Sequence, residues 1–567
     1  MTRRAAVFLF LVCALGLRAQ TLEPLARAYR ESPTPARREA LLRFASLHPK
    51  DSSGALALLA AGVVEIEQAQ YQDAIRHLED AEKRLPQLTD HISFQLGQAL
   101  LALQDYAAAV SRLESVLKAV PASPFQGRAA LLVAAAHLRS GAPPSAFAVL
   151  KEYARRVPQP DGDLALASAY EAAGDLAMAA SCAQRVYYGY PASKQAVEAA
   201  EMLERLREQL GRSFPPPAPE AMLGRAGKWL EARDSRRARA EYESLISQLG
   251  GAQRELAQVR AGAACRTGGA PGSSFAYLKA LTLRSPEADA ERLYYLVECA
   301  RSVEDPAAML QFVSRLEHLY PASEWRLSAL IWAGNYYLLR NEPASYVPLY
   351  RACYEGFPAD PRASYCHWKV AWNAYLQRRA ESGDLLRDHF KRFPQSDKRT
   401  AALYFLGRLS EASDGLNAAQ PFYAEILAHY PNNFYAQLAA QRRGGEVAAQ
   451  AAPMSFEPSA MHLRRISRAR LLSSAGLSDF AESDLRFAAR EDGQPQVMAL
   501  ELARQAAARG APDQGLRYIK AVFPGYLATP LDAAPTELWR LAFPLPFRPY
   551  LERYGKAHQL DLFLLAG

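Results

Sequence analysis

Apolar positions along the chain recur in the short steps of an amphipathic helix rather than in the alternation of a strand. Leu96, Leu100 and Leu103 step by four and three residues, a polar interruption follows, and a second stepped series begins at Val110 and ends at Val120. Steps of three and four place side chains on one face of a helix. The pattern therefore predicts two helices joined by a tight turn.

Prolines that follow such stretches recur at intervals of 33 to 37 residues. Proline lacks an amide hydrogen and clashes with the preceding turn, so it ends a helix. Evenly spaced prolines therefore indicate evenly spaced helical units. The first series is Pro49, Pro86, Pro121, Pro158 and Pro191, and the second is Pro286, Pro321, Pro358, Pro394 and Pro431.

Small residues hold the same two places in most units, and leucine holds a third. Together they resemble the tetratricopeptide repeat pattern, which implies an all-α fold of helical hairpins stacked into a superhelix. The units around Pro358 and Pro394 match poorly, with Tyr346 and Ser382 where alanine is expected. The matching positions are Gly62, Gly97, Ala134, Ala167 and Gly407, then Ala74, Ala109, Ala146, Ala179 and Ala419, then Leu78, Leu113 and Leu150.

Residues 1–19 read as a secretory signal peptide. Two arginines precede the apolar run Ala5–Leu17, and the small Ala19 stands before Gln20. The run is shorter than the ~20 residues that cross a bilayer, and no later stretch is long and apolar enough to do so. We therefore expect an exported, periplasmic protein without a membrane span in its mature chain.

Composition narrows the class further. Of 567 residues, 50% are hydrophobic and 22% charged, which excludes a disordered, collagenous or disulfide-dense protein. The net charge is +8, and three of the arginines lie in the signal peptide. So small an excess does not form a nucleic-acid-binding surface, and we expect no nucleic-acid partner.

The cysteines predict no disulfide framework. Five remain after residue 19, an odd number without a C-x-x-C, although one pair such as Cys353–Cys366 remains open in an oxidising compartment. Burial as small apolar side chains is the favoured interpretation. Cys353, Cys366 and His367 lack the four closely spaced ligands of structural zinc. The five are Cys182, Cys265, Cys299, Cys353 and Cys366.

Catalytic motifs are absent from the sequence. The glycine-rich run at residues 268–274 has no lysine and no preceding strand, so it predicts an interhelical turn and not a phosphate loop. No metal-ligand motif, nucleophile elbow or serine–histidine–aspartate set stands out. We predict no catalytic residue, no cofactor-binding residue and no metal-binding residue, and hence no cofactor.

Two kinds of surface feature remain as candidates for binding. Basic runs on two predicted helices are interleaved with acidic or apolar residues, so a solvated face is the favoured interpretation. Tyrosine doublets offer rings that stack on sugars, but aromatic side chains more often fill the space between helices. The runs are Lys228, Arg233, Arg236, Arg237 and Arg239, and Arg464, Arg465, Arg468 and Arg470; the doublets are Tyr187–Tyr188, Tyr294–Tyr295 and Tyr336–Tyr337.

The last third of the chain resembles soluble lytic murein transglycosylases. The W-R-L-A-F-P-L-P-F segment at residues 539–547 is the most specific match, and residues 430–439, 468–481 and 550–562 resemble other segments of that family. The resemblance implies a helical ring that embraces glycan strands, followed by a helical linker domain and a catalytic domain. It also implies cleavage of the N-acetylmuramic acid–N-acetylglucosamine bond of peptidoglycan with a 1,6-anhydro product.

That family uses one glutamate, in a Glu-Ser motif, as acid and then as base. The sequence ends at Gly567, before the place of that glutamate. Glu552 lies too early and Glu537 precedes the catalytic domain. The chain as written is therefore expected to be inactive, either a truncated transglycosylase, which is the favoured interpretation, or a natural scaffold that lost its enzyme.

These features define the predicted organisation and function. We expect the non-catalytic, peptidoglycan-associated part of a transglycosylase, with glycan strands and envelope proteins as partners. The alternative is an exported tetratricopeptide-repeat adaptor that binds other proteins. The expected segments are a signal peptide at 1–19, a solenoid at 20–212, a proline-rich linker at 213–222, a second solenoid at 223–445, a helical linker domain at 446–537 and the start of the catalytic domain at 538–567.

Overall fold

A computed structural model describes residues 21–444 and 455–566 of the chain. These residues form α-helices and short 3₁₀ turns, and no strand occurs among them. The prediction of an all-α, tetratricopeptide-like fold is confirmed. The predicted signal peptide at 1–19 lies outside the described residues.

The helices of residues 21–175 are α1 (Leu22–Glu31), α2 (Pro35–Leu47), α3 (Ser52–Glu67), α4 (Tyr71–Glu82), α5 (Thr89–Ala102), α6 (Tyr106–Leu117), α7 (Gln126–Arg139), α8 (Pro143–Glu152) and α9 (Asp161–Ala172). Those of residues 176–444 are α10 (Leu176–Gly189), α11 (Lys194–Leu210), α12 (Pro219–Glu231), α13 (Ser235–Gln248), α14 (Gly251–Thr267), α15 (Pro271–Ala280), α16 (Pro286–Ser302), α17 (Pro306–Leu319), α18 (Glu324–Leu339), α19 (Pro343–Gly356), α20 (Ala363–Leu376), α21 (Ser382–Arg392), α22 (Arg399–Asp414), α23 (Leu416–His429) and α24 (Phe434–Arg443). Those of residues 455–566 are α25 (Ala460–Ser474), α26 (Ser478–Glu491), α27 (Pro495–Ala508), α28 (Pro512–Val522), α29 (Thr536–Ala542), α30 (Arg548–His558) and α31 (Leu562–Ala566).

Five of the described hairpins cross at a glycine that faces a large side chain sixteen positions later. A Cβ atom built on Gly97 would lie 2.4 Å from Cγ of Leu113, and one on Gly407 would lie 2.5 Å from Cε1 of Tyr423. Close-packed interiors cannot absorb such an overlap without moving atoms. The small residues therefore set how closely the two helices approach. The same relationship joins Gly62 to Leu78, Gly262 to Leu278 and Gly334 to Tyr350.

The units around Pro358 and Pro394, which match the repeat pattern poorly, keep this close crossing of two helices with different side chains. Tyr346 is buried where alanine was expected, and its hydroxyl donates a hydrogen bond of 2.9 Å to Oδ1 of Asn373. Tyr350 packs on Gly334 with its whole ring buried. Larger side chains here fill the space that alanine and leucine fill elsewhere, so the hairpin survives although the pattern weakens.

Contacts divide the chain into two compact units: Met1–Asp175 with Ala452–Gly567, and Leu176–Ala451. In the first unit, helices from both ends of the chain share one apolar core, in which Leu41 and Leu78 are buried together with Leu472 and Leu485. In the second, the core runs through successive hairpins and contains a disulfide between Cys353 and Cys366. The domain boundaries expected from the sequence are a separate division of the chain and stay predictions.

The W-R-L-A-F-P-L-P-F segment packs onto the end of the first unit. Leu538 and Ala542 are buried in the cluster that contains Ile519 and Phe523. The indole Nε1 of Trp539 donates to the carbonyl oxygen of Leu531 at 2.9 Å. Burial of Leu538 and Ala542 therefore anchors the start of this segment, whereas Phe543 and Phe547 after α29 are exposed. Among the described residues, no helix is both long and apolar enough to cross a membrane.

Candidate functional site

The second unit places aromatic side chains on adjacent first helices of three successive hairpins, α16, α18 and α20. The rings of Tyr294 and Trp325 lie 5.1 Å apart between centroids. Trp332 lies two turns after Trp325, and Tyr365 follows on the next hairpin. Tyr365 is 40% exposed, and the other three side chains are partly exposed. We call Tyr294, Trp325, Trp332 and Tyr365 the aromatic face.

Hydrogen bonds hold this face in a fixed arrangement. The Tyr365 hydroxyl donates to Oδ1 of Asn335 at 2.7 Å, and the buried Tyr350 hydroxyl donates to the same oxygen at 2.7 Å. Nη1 of Arg362 donates to Oγ of Ser328 at 3.1 Å. These bonds tie α20 to α18, so the rings are presented on packed helices and not on loops.

Cations border the rings. The Arg301 guanidinium lies 4.4 Å from the centroid of Trp332, and Nζ of Lys369 lies 5.1 Å from the centroid of Tyr365. Both distances fall in the range of a cation–π interaction. Across residues 21–444 and 455–566, neither cation forms an ion pair with an acidic side chain. Their charge remains available to an anionic ligand.

The buried carboxylate of Glu298 interacts with Tyr294 of the aromatic face. Burial raises the pKa of Glu298, and Arg266 at 2.8 Å and the Tyr294 hydroxyl partly oppose this increase. Burial also raises the pKa of Tyr294, and Glu298 adds to the effect. A raised pKa is typical of a general acid. However, the Glu298 side chain is only 6% exposed, so it positions Tyr294 rather than reaching a ligand.

The arrangement suits binding rather than covalent chemistry. Partly exposed rings with two cations against them match a ligand that has apolar ring faces and anionic groups. No nucleophile with an adjacent base is found on the aromatic face. The structure therefore supports a binding surface along the first helices of the second unit.

The tyrosine doublets divide between the two roles considered for them. Tyr336 and Tyr337 are buried between helices, as the favoured interpretation predicted. Tyr294 belongs to the aromatic face, while Tyr187 and Tyr188 pack edge to face at 4.9 Å. Sequence reasoning missed Trp325, Trp332 and Tyr365. The sequence feature that could have revealed them is a series of aromatic and amide side chains at helical spacing on the first helices of successive hairpins.

The first basic run is the solvated face that the sequence predicted. All five of its side chains are exposed, and two of them pair with acids on their own helix. Nε of Arg237 lies 3.3 Å from Asp234, and Nε of Arg239 lies 2.7 Å from Glu243. Such exposed pairs contribute little to stability.

The second basic run corrects the prediction of a solvated face. Arg465 and Arg468 are buried, because acids from other helices neutralise them. Arg465 pairs with Asp484 at 3.1 Å and with Asp492 at 2.8 Å. Arg468 pairs with Asp484 at 3.1 Å and with Asp90 at 2.9 Å. Only Arg464 and Arg470 of this run are exposed.

The cysteine and histidine candidates form no metal site. Cys353 and Cys366 are joined to each other, the pair that the sequence left open. Nε2 of His367 lies 2.9 Å from Asp388, and Nδ1 of His389 lies 3.3 Å from Nδ1 of His367. Burial, and then the neighbouring His367, lower the pKa of His389 to about 4. In the described part of the chain, no group of three or more such side chains could hold a metal ion.

The remaining candidates have structural roles. Residues 268–270 form the turn between α14 and α15, as predicted for the glycine-rich run. Glu537 forms two hydrogen bonds with Arg504, of 2.8 and 2.6 Å. Glu552 accepts a hydrogen bond of 2.7 Å from Arg548 on the surface of α30. Neither carboxylate lies on the aromatic face.

Comparison with solved structures places this fold beside a known enzyme. An inactive mutant of the lytic transglycosylase Slt from Pseudomonas aeruginosa matches 87% of this chain and 75% of its own, with 17% sequence identity and a TM-score of 0.54. The TPR domain of P58(IPK) matches 62% of this chain and 97% of its own, with 15% identity and a TM-score of 0.21. No protein-family model matches the sequence, and no curated protein matches it significantly. The chain therefore shares its fold with Slt over most of its length.

Proposed function

We propose that the protein is a periplasmic, peptidoglycan-associated scaffold that corresponds to the non-catalytic helical part of a soluble lytic murein transglycosylase. The similarity of fold to Slt over 87% of the chain is the observation that carries this proposal. The resemblance of residues 539–547 to that family supports it independently.

The aromatic face supplies the contacts for a glycan strand. Sugar rings offer apolar C–H faces that pack on the exposed rings of Trp332 and Tyr365, as other apolar ligands do. Arg301 and Lys369 stand beside these rings and would meet the carboxylates of the wall polymer. Because the rings occupy successive hairpins, an extended ligand would touch several of them at once.

Co-sedimentation with purified peptidoglycan sacculi tests this function. We expect the mature chain to sediment with the sacculi, and Trp332→Ala with Tyr365→Ala to weaken binding about tenfold, because two stacking rings are lost. Tyr277→Ala is the matched control, because Tyr277 is 40% exposed, as Tyr365 is, but lies on the second helix of its hairpin. Equal binding by the double variant and the wild type would contradict the role of the face.

Export is tested on the same protein. Fractionation of cells that express the full chain should place it in the periplasm, and sequencing of its N-terminus should begin at Gln20. Retention of Met1 in a cytosolic fraction would exclude the periplasmic role while leaving the binding result to stand alone.

A protein-binding adaptor is the second candidate, and α30 is the observation that favours it. Tyr550 and Tyr554 are exposed on this helix, and Phe547 immediately before it is 76% exposed. A cluster of exposed apolar side chains marks a surface that another molecule covers. Crosslinking in the periplasm should capture a protein that Tyr550→Ala with Tyr554→Ala loses, while binding to sacculi stays unchanged.

A further inference from the structure

The first unit contains a cleft that the proposed function does not use. It has a volume of about 340 Å³ and lies between the start of α5, the end of α6 and the exposed side of α25. Eleven residues from these three places line it, so it depends on the packing of α25 against the repeats. This volume falls in the range of small-ligand pockets.

One wall of the cleft is apolar and built from small side chains. Val120 is 95% exposed, although the apolar series of the sequence counted it as a helix-core position. Val120 lies three residues after Leu117, the last residue of α6. It lines the cleft together with Ala119, Pro121 and Pro86. Methyl and methylene groups at this wall suit a ligand with small aliphatic groups.

The other wall carries two arginines. Arg468 is held by Asp90 and by Asp484, so its guanidinium has one position. Arg464 is exposed one turn earlier on α25, and it forms no ion pair with any residue that the structure describes. A ligand carboxylate between them would gain charge-assisted donors from Arg464 and from Nη1 of Arg468, the nitrogen that donates to neither aspartate.

The charges limit which anion fits. Asp90, which lines the cleft, and Asp484 together neutralise Arg468, so Arg464 is the lining cation that has no acidic partner among the described residues. A singly charged carboxylate therefore pairs with Arg464, whereas a doubly charged phosphate would meet repulsion from Asp90. The side chains of Gln87 and Ser467 also line the cleft, and within the described ranges they make no hydrogen bond. An amide of the ligand backbone would satisfy them.

We propose that this cleft binds the free carboxylate end of a short peptide with small aliphatic side chains. The carboxylate contacts Arg464 and Arg468, the peptide amide lies between Gln87 and Ser467, and the methyl groups pack on Val120 and its neighbours. The site lies within the first unit and shares no residue with the aromatic face.

Calorimetric titration of the mature chain with N-acetyl-alanyl-alanine tests the proposal. The L,L and D,D forms are titrated separately, because a preference for D,D would identify a wall peptide as the source and a preference for L,L a protein C-terminus. The C-terminal amide of each form measures the contribution of the carboxylate. We expect saturable binding of at least one acid and at least tenfold weaker binding of its amide.

Variants separate this site from non-specific binding. Arg464→Gln should weaken binding of the acid about tenfold, since one charge-assisted contact is lost. Ser467→Phe should abolish binding by filling the cleft. Arg490→Gln is the matched control, an exposed arginine of the neighbouring helix α26, and should bind as the wild type does.

Each result bears on the proposal directly. The absence of saturable binding by either acid, equal binding of acid and amide, or unchanged binding by Arg464→Gln would each overturn it. The melting temperature of every variant is measured in parallel, so that loss of fold is not mistaken for loss of the site. Failure here would leave the sacculus experiment untouched, because that experiment depends on residues of the second unit.

Discussion

Nη2 of Arg468 donates a hydrogen bond of 2.9 Å to Oδ2 of Asp90, a residue 378 positions earlier in the chain. Both side chains are buried. The bond joins α25, in the last fifth of the chain, to α5 in the third hairpin. Arg468 also holds Asp484 on the following helix, so the contact fastens a helical hairpin to the repeats and not a single side chain.

Removing the cation from this network should destabilise the first unit. Arg468→Met leaves Asp90 buried without its partner, and loss of one member of a buried pair costs about 3–5 kcal/mol. We expect urea unfolding to show that loss in the transition of the first unit. Arg490→Gln, an exposed arginine on α26, should change the free energy of unfolding by less than about 0.5 kcal/mol.

A double substitution separates the pair from its surroundings. Asp90→Asn combined with Arg468→Met should cost less than the sum of the two single variants, because neither charge is then left buried alone. Strict additivity would show that the two side chains do not interact in solution.

Acid should weaken the first unit through Glu501. Burial acts to raise the pKa of Glu501, but hydrogen bonds from Arg470 and Gln505, with the charges of Arg470 and Arg504, outweigh it and hold the pKa below its ordinary value. A carboxylate with a lowered pKa stabilises the fold above its unfolded pKa of about 4.3, and this contribution is lost as pH falls below that value.

The measurement is the free energy of unfolding from pH 7 down to pH 3. The wild type should lose stability below about pH 4.3, whereas Glu501→Gln should be less stable at neutral pH and show a shallower decline. Glu552→Gln, on the exposed surface of α30, should follow the wild-type curve. Parallel curves for Glu501→Gln and the wild type would contradict the assignment.

The hairpin crossing predicts a cost for one added methyl group. Gly97→Ala would place Cβ 2.4 Å from Cγ of Leu113, so the two helices must separate. We expect a loss of about 1–3 kcal/mol in the free energy of unfolding. The double variant Gly97→Ala with Leu113→Ala should cost less than the sum of the two single variants, because the shortened side chain leaves space for the added methyl group.

The turn inside each hairpin predicts a stabilising substitution. Gln104 links α5 to α6 with φ of 65°, a conformation that glycine adopts more readily than glutamine. Gln104→Gly should therefore raise the free energy of unfolding by up to about 1 kcal/mol. Ser111→Gly, at an exposed position inside α6, should lower it by about 0.5–1 kcal/mol. Thermal melts of both variants, with shifts of opposite sign, would check the turn.

The disulfide predicts a pattern of alkylation. In the oxidised mature chain, Cys353 and Cys366 should resist iodoacetamide under denaturing conditions, while the three free cysteines react. Cys353→Ala with Cys366→Ala should lower the stability of the second unit by about 2–3 kcal/mol, because a short loop in the unfolded chain is released. Mass spectrometry before and after reduction counts the alkylated thiols. Modification of all five thiols without reduction would contradict the disulfide.

The sequence determined the helices, the hairpins and their register. The two helices predicted from the series Leu96–Leu103 and Val110–Val120 correspond to α5 and α6, although Val120 lies beyond the end of α6. The crossing positions were also visible, because the sixteen-residue step from Gly97 to Leu113 recurs from Gly62 to Leu78. Both features depend on contacts between residues close in the chain, which leave a periodic pattern of amino-acid types.

Only the tertiary structure decided which charged and aromatic side chains are available. Arg464 and Arg468 lie on the same helix and look alike in the sequence, yet one is exposed and the other is buried against Asp90. The aromatic face was likewise hidden, because Tyr294 and Trp325 meet only when consecutive hairpins pack. A side chain's burial depends on partners that fold beside it from distant parts of the chain, and no local pattern of apolar and polar residues records those partners.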